Sequence, residues 1–392
     1  MSNGTARRLA AAIARFTAIL LPSSQRAWSR AMSAEVAALE DDAEALRFAV
    51  GCLWAAALQA AAHCVSGSDG EVRREHHHHH HHHHQTEAGP MEQLRQRDPR
   101  AIGLACAVGA VGIGAVYLTA AQAPWVYILV NAVALVLGLI AYTALSASSR
   151  GGARLSGAIV LALAVALVAT ALAGASADGV TRWVRVGSLS VQVSLLFLPI
   201  MIVAFARHRD ALGTAGLVVA ALALALQPDR AMAGVLAGGL LTLALLRFDA
   251  RVGLALLAAA IGFVVTLVRP DAAPAVPWVD GILYSAFDVH PLIGAAVLAG
   301  ALLLAVPAIY GLRKSSGQRE VYAVFGIVWI GVIAAAALGN YPTPLVGYGG
   351  SAVLGYLLSL CAMTPARSAA EAPSGERRHD GPGAVQGMLR AA

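Results

Sequence analysis

Charge is scarce in this chain. Asp, Glu, Lys and Arg together make up 13% of the 392 residues, about half the share usual in a soluble globular protein. Apolar residues make up 58%, so a water-soluble domain is excluded and an integral membrane protein is left. Lysine is almost missing: Lys314 stands alone among many arginines, a bias that suits a GC-rich bacterial genome. The cysteines Cys52, Cys64, Cys106 and Cys361 show no pairing or metal-ligand spacing and sit in or beside apolar segments, which excludes a disulfide framework and a zinc site. Strict alternation of apolar and polar residues is missing as well, and with it a transmembrane β-barrel.

What the chain does have is long apolar runs. Ten lie near 101–119, 125–147, 155–175, 191–206, 212–226, 231–246, 252–268, 289–311, 322–339 and 345–363. They predict an all-α polytopic membrane protein of about ten transmembrane helices. Several runs fall short of the roughly 20 residues that span a bilayer, so those helices are expected to tilt, kink or lie among neighbours.

Basic residues favour cytoplasmic loops and so set the orientation. With the segment before Ala101 inside, the inside loops carry Arg95, Arg97 and Arg100, Arg150 and Arg154, Arg207 and Arg209, Arg247 and Arg251, Arg313, Lys314 and Arg319, and the tail carries Arg367, Arg377 and Arg378. Both termini are then cytoplasmic. Outside remain Arg182, Arg185, Arg230 and Arg269, which need another explanation. The net charge of +6 thus reflects topology and gives no reason to expect nucleic acid as a partner.

Residues 1–75 read as a separate helical extension. RRLAAAIARFTAILL mixes Arg7, Arg8 and Arg15 with apolar residues at helical spacing, the pattern of a basic amphipathic helix on a membrane surface. Arg15 interrupts the apolar core and no small-residue cleavage site follows, which disfavours a signal peptide. A second apolar stretch, 45–63, is long enough to span but contains Arg47 and Gln59, and spanning would carry five arginines outside, so a cytoplasmic or surface-bound hairpin is expected. Residues 76–100 form a polar linker that opens with nine histidines, His76 to His84, equally readable as a purification tag or a codon expansion and assigned no metal. Residues 365–392 have the composition of a disordered tail.

Within the membrane domain, 101–364, four segments stand out. GVTRWVRVGSLSVQVS puts Arg182, Trp183 and Arg185 in the outer loop after the third helix. Trp183 suits an interfacial belt. The two arginines suit bidentate binding of phosphate or carboxylate, or a structural ion pair with Asp178 or Asp229. LQPDRAMAG places Asp229 at the N-cap of the sixth helix. VDGILYSAFDVHP carries Asp280, with no helix start expected immediately after it, and Asp288, expected to cap the helix that follows Pro291. YPTPLVGYGGSAVLGY holds Gly349 and Gly350, which let backbone approach closely or break a helix.

In this order, and with ten helices, the segments resemble the SEDS family, the FtsW/RodA/SpoVE group of bacterial cell-division and cell-shape proteins. The family's RWxxxGxxxxQPSExxK loop is matched by Arg182, Trp183, Gly187, Gln192 and Ser194 in RWVRVGSLSVQVSLLFL; its QPDLGTA by QPDRAMA; its TDFIF by VDGIL; and its PLPFxSYGGSS by PTPLVGYGGSA. The resemblance covers residues 101–364. The chain departs from the pattern where Val193, Leu195 and Leu198 replace proline, glutamate and lysine, and where Arg230 enters the QPD segment. The loop before Asp280 is also short.

The resemblance implies a peptidoglycan glycosyltransferase of the bacterial inner membrane that polymerises lipid II. Asp280 would be its catalytic base, with Arg182, Trp183, Arg185, Gln192, Asp229, Arg230 and Tyr348 lining the substrate site. It further implies a polyprenyl-diphosphate-linked substrate, contacts with membrane lipids, a class B penicillin-binding transpeptidase as partner, and a possible divalent cation although no cofactor site is evident. The alternatives are a noncatalytic relative that binds lipid-linked precursor or scaffolds other cell-wall proteins, and a secondary transporter, which would need broken helices with charged residues near the bilayer midplane.

Overall fold

The computed structural model describes residues 98–149, 156–177, 180–187, 189–269, 274–314 and 318–363, together with residues 26–39 and scattered positions between 7 and 52. The histidine run and the C-terminal tail lie outside the described residues. In the N-terminal extension, helix α1 spans Arg26–Ala38, and Arg7 donates to Asp42 at 3.2 Å and to the Ala37 carbonyl at 3.0 Å.

The ten apolar runs appear as ten apolar helical segments, and the body is a helical, polytopic membrane protein. Helices α2 (Pro99–Ala120), α3 (Trp125–Ser149), α4 (Gly157–Ala173), α5 (Val193–Arg207), α6 (Ala211–Leu226), α7 (Arg230–Leu246) and α8 (Ala250–Val268) are followed by a short α9 (Ile282–Val289). Then come α10 (Pro291–Leu302) running through a 3₁₀ turn into α11 (Val306–Lys314), α12 (Arg319–Leu338) and α13 (Gly350–Ala362). Among the described residues, five of the segments are long and apolar enough to cross a membrane and five are shorter. The interruption at Leu303–Ala305 is wholly apolar, unlike the charged helix breaks a transporter would use.

To the helices the structure adds a small antiparallel sheet of β1 (Ala175–Ala177), β2 (Val180–Val186) and β3 (Leu189–Gln192), in the order β1-β2-β3. Trp183 faces Gln192 and Arg185 faces Ser190 across the β2–β3 hairpin, whose turn holds Gly187 at φ 62°. Asp280 and Pro342 form one further antiparallel bridge.

Apolar side chains gain little from leaving lipid for a protein interior, so helix association relies on close packing. Glycines supply it here. A Cβ on Gly355 of α13 would run into the Leu195 carbonyl of α5, and one on Gly216 of α6 would meet the Val160–Leu161 backbone of α4. Leu195 and Leu198, which stand where the family pattern has charged groups, are buried apolar residues of that α5 surface. Two of the largest buried side chains have their polar atoms paired: the Trp329 indole donates to Ser359 Oγ at 3.1 Å and the Tyr356 hydroxyl to the Leu304 carbonyl at 3.3 Å. By contrast Leu254, Leu257, Ile261, Val264 and Val268 form an exposed stripe on α8, at a spacing of three and four residues that suits a lipid-facing side.

The bundle has two unlike ends. One carries Asp98, Asp210, Asp249 and most of the basic residues of the membrane domain, and is termed the basic end. The other carries the sheet, residues 274–281 and residues 339–349, and is termed the sheet end.

Candidate functional site

Four chain segments far apart in sequence meet at the sheet end. Asp229 is the N-cap of α7, as its place before the helix implies: its Oδ1 accepts from the Met232 amide at 3.2 Å. Its Oδ2 accepts from Ser194 Oγ at 2.6 Å and Gln192 Nε2 at 3.3 Å. Gln192 ties this group to the fourth segment, since its amide donates to Ser351 Oγ at 3.0 Å. Beside Asp229, the Gln227 side chain donates to the Leu167 carbonyl at 2.7 Å.

Arg182 reaches inward from β2 toward the same carboxylate. Its Nη1 lies 3.8 Å from Asp229 Oδ1, with 2% of the arginine side chain exposed and none of the aspartate. The structural ion pair is thus the arrangement observed, made with Asp229. The guanidinium also lies 5.0 Å from the centre of the Trp183 ring and 5.3 Å from that of Tyr341, positions in which aromatic quadrupoles stabilise a cation. Breaking a buried pair leaves an uncompensated charge, so these rings and hydrogen bonds hold the cluster as a unit.

Asp280 sits at the end of a tight turn. Its Oδ2 accepts from the Val276 amide at 2.8 Å and its own amide donates to the Val276 carbonyl at 3.0 Å. The acid therefore closes its own loop, a structural return that sequence reasoning did not find. Gly281 follows at φ 68°, a left-handed conformation that glycine adopts without strain, and α9 begins directly after it, where no helix start was expected. The other oxygen, Oδ1, is buried and accepts no hydrogen bond. Burial raises the carboxyl above the ordinary carboxylate range, against the lowering effect first of the Val276 hydrogen bond and then of the Arg182 charge. Asp288 lies inside α9 and does not cap the next helix; His290 does, its Nδ1 accepting from the Leu292 amide at 3.1 Å.

Residues 339–349 are laced to this turn. The Thr343 amide donates to the Val279 carbonyl at 2.9 Å and the Tyr348 amide to the Trp278 carbonyl at 2.8 Å. Asn131, 2% exposed, staples the loop to α3: its Nδ2 donates to the Gly347 carbonyl at 2.8 Å, and its Oδ1 accepts from the Gly349 amide at 3.1 Å. Tyr348 stacks on Tyr127 with ring centres 3.9 Å apart, and Tyr127 meets Trp278 edge-on at 6.0 Å. Trp278 has φ 59°, a costly conformation for a bulky residue, and its indole donates to the Ala121 carbonyl at 3.2 Å.

The fold thus gathers Arg182, Gln192 and Asp229 into one buried cluster, with the half-buried Trp183 against the guanidinium, and sets Asp280 and Tyr348 on the loops beside it. Arg185 is exposed on β2. Arg230 faces a helix end: its guanidinium donates to the Thr266 and Arg269 carbonyls at 3.2–3.4 Å, while Arg269 Nη1 donates to the Ala225 carbonyl at 2.7 Å. Arg230 thus serves the C-terminal end of α8 and Arg269 that of α6, which accounts for their place away from the basic end. Sequence reasoning missed Asn131, Tyr127, Trp278 and Tyr341. A signal existed for Asn131, the one polar residue in the apolar run WVYILVNAVALVLG. Among the described residues, no three His, Cys, Asp or Glu side chains gather as a metal cage.

No family model matches the chain, and no characterised protein matches it in sequence. Among solved structures it is similar to the crystal structure of the Thermus thermophilus rod shape determining protein RodA, at 21% identity and a TM-score of 0.48, over 66% of this chain and 93% of that one. It is similar to the same degree to an aspartate-to-alanine variant of that protein, over 66% of this chain and 94% of the variant.

Proposed function

We propose that the chain is a divergent SEDS-type peptidoglycan glycosyltransferase that polymerises lipid II at the outer face of a bacterial inner membrane. One observation carries the reading. The four motif-bearing segments meet at one end of the bundle, and one of them carries Asp280, a carboxylate with a buried oxygen that makes no hydrogen bond. The charge rule favours the same orientation. Arg100, Arg209, Arg247, Arg251 and Lys314 lie at the opposite, basic end, while Arg182, Arg230 and Arg269 at the sheet end are engaged by Asp229 or by carbonyls. In this reading Asp280 is outside and both termini are cytoplasmic.

In this reading Asp280 is the general base. An acceptor sugar hydroxyl gives its proton to the carboxylate as its oxygen attacks the anomeric carbon of the donor. The new C–O bond replaces the bond to phosphate, and the polyprenyl diphosphate leaves. A base held above the ordinary carboxylate range keeps the proton better during transfer, and such groups contribute about 10²- to 10⁴-fold. Of the three arginines suited to the leaving diphosphate, Arg185 is the one whose side chain is exposed; Arg182 and Arg230 hold the architecture. A divalent cation would neutralise the diphosphate further. Exposed apolar helix faces suit the polyprenyl tail, and a class B penicillin-binding transpeptidase is the expected partner.

The buried leucines Leu195 and Leu198 favour a second reading, a noncatalytic relative that binds the lipid-linked precursor. Labelled lipid II incubated with the purified protein, alone and with a transpeptidase, separates the two. Polymer from wild type that disappears in Asp280→Ala supports the enzyme. Binding without polymer from either protein supports the noncatalytic relative.

A further inference from the structure

Arg230 and Arg269 share the rim of α6 and α8 at the sheet end, where the two helices pack so closely that a Cβ on Gly262 would stand 2.9 Å from the Ala221 carbonyl. Arg230 spends Nε and Nη2 on the Thr266 and Arg269 carbonyls, and Arg269 spends Nη1 on the Ala225 and Leu226 carbonyls. These contacts fix both guanidiniums at the rim. Three of their nitrogens, Arg230 Nη1 and Arg269 Nε and Nη2, meet no acceptor among the described residues. Among those residues no ion pair joins either arginine to Asp229, Asp280 or Asp288.

The helix ends do not balance the charge. A helix C-terminus carries about half a negative charge, so the ends of α6 and α8 together offset about one of the two positive charges and leave about one over. Asp229, beside Arg230 in the chain, does not supply the difference, because it faces Arg182 and accepts from Ser194, Gln192 and the Met232 amide. The excess charge borders apolar surface. Leu222 and Leu226 stand exposed one turn apart on α6, as do Val265 and Val268 on α8. An exposed apolar flank leading up to a fixed cationic rim is the complement of a lipid that carries one negative phosphate, and guanidinium N–H pairs match phosphate oxygens in geometry.

We infer that Arg230 and Arg269 bind the phosphodiester headgroup of an anionic membrane phospholipid in the leaflet at the sheet end, with its acyl chains along the exposed flank of α6 and α8. The Nε and Nη2 edge of Arg269 and Nη1 of Arg230 donate to the unbridged phosphate oxygens. Arg230 turns toward α8 while Asp229 turns toward Arg182, so the headgroup sits beside the motif cluster and outside it.

The full-length protein in nanodiscs of phosphatidylcholine and phosphatidylglycerol tests this, with a photoreactive diazirine in the acyl chain of one lipid or the other. Peptic peptides covering residues 211–230 and 250–269 are read by mass spectrometry. At equal amounts of the two lipids, phosphatidylglycerol should label them about fivefold more than phosphatidylcholine in wild type, the factor that one cation is worth near a lipid surface, and the ratio should fall to about one in Arg230→Gln/Arg269→Gln. Loss of the preference in the double variant supports the inference. Equal labelling by the two lipids in wild type overturns it, and that arm needs no variant to fold. Asp271, two residues past Arg269, lies outside the described residues; Asp271→Asn should leave the ratio unchanged, and a severalfold rise would show that this acid already holds the arginines and overturn the inference. Removal of the phosphatidylglycerol label by a polyprenyl monophosphate equimolar with the protein would assign the arginines to a lipid-linked substrate and overturn it as well. None of these readouts depends on polymerisation, so a protein that makes no polymer but keeps the lipid preference would remove the proposed function and leave the phospholipid site standing.

Discussion

Both ends of the bundle carry aspartates, and the two ends use them differently. At the basic end Asp98 accepts from the Arg100 amide at 3.0 Å and its guanidinium at 2.9 Å. Asp249 accepts from the Val252 amide at 2.9 Å and pairs with Arg209 at 3.0 Å. Asp210 caps two helices at once, Oδ1 taking the Gly213 amide at 2.6 Å and Oδ2 the Gly157 amide at 3.0 Å. Each of these carboxylates has both oxygens engaged with a helix start or an arginine. Asp229 at the sheet end belongs to the same class. Asp280 does not: it caps no helix, and one of its oxygens is buried without a hydrogen bond. A carboxylate with both oxygens engaged is explained by architecture, whereas one left half-satisfied needs a further reason to be there.

The comparison breaks most sharply on activity. Asp280→Ala should reduce lipid II polymerisation by about 10²- to 10⁴-fold while the purified protein keeps its elution profile. Equal polymerisation by the two proteins would place Asp280 among the structural aspartates. Asp229→Ala should do the reverse of sparing the fold, destabilising it by about 3 to 5 kcal/mol because Arg182 is left buried and uncompensated; a thermal melt of the protein in detergent reads this.

At the basic end, Asp210→Ala removes the caps of α4 and α6 together and should cost about 2 kcal/mol, with activity at permissive temperature unchanged. A loss of activity larger than the loss of stability would mean that the two ends communicate. Arg230→Ala should cost about 1 kcal/mol through the carbonyls it leaves and shift the melt without changing KM. A raised KM there would return Arg230 to the substrate site.

The smallest effect has the most telling sign. Asp280 binds its proton more tightly in the folded protein than a free carboxylate does, so its ionised form opposes folding at neutral pH. That penalty fades as pH falls through the raised value toward the ordinary carboxylate range. Asp280→Asn keeps an acceptor for the Val276 amide and should raise the melting temperature at neutral pH by about 1–2 °C, with the gain vanishing in acid. A melting temperature lower in Asp280→Asn at neutral pH would show that the ionised carboxylate is architectural after all.

The sequence by itself determined the membrane class, the ten helical segments and the separation of a basic end from one poor in charge, because hydropathy and charge act locally and survive any arrangement of helices. It also determined that Asp229 caps α7, since a cap is read from its own next three residues. The small sheet was written in the alternation and the Gly187 turn of VTRWVRVGSLSVQ, yet its strands are too short to announce themselves inside an apolar chain. Only the tertiary structure decided how the long side chains were used: Arg182 turned inward onto Asp229, Arg230 reaching the end of α8 and Arg269 the end of α6, and Asn131 reaching a loop 216 residues away in sequence. Such pairings depend on which donors and acceptors the packed helices bring within about 3 Å of each other. Asp280 shows both parts of the answer. Its position in the sequence marked it out, and only the folded turn showed which of its oxygens is held and which is not.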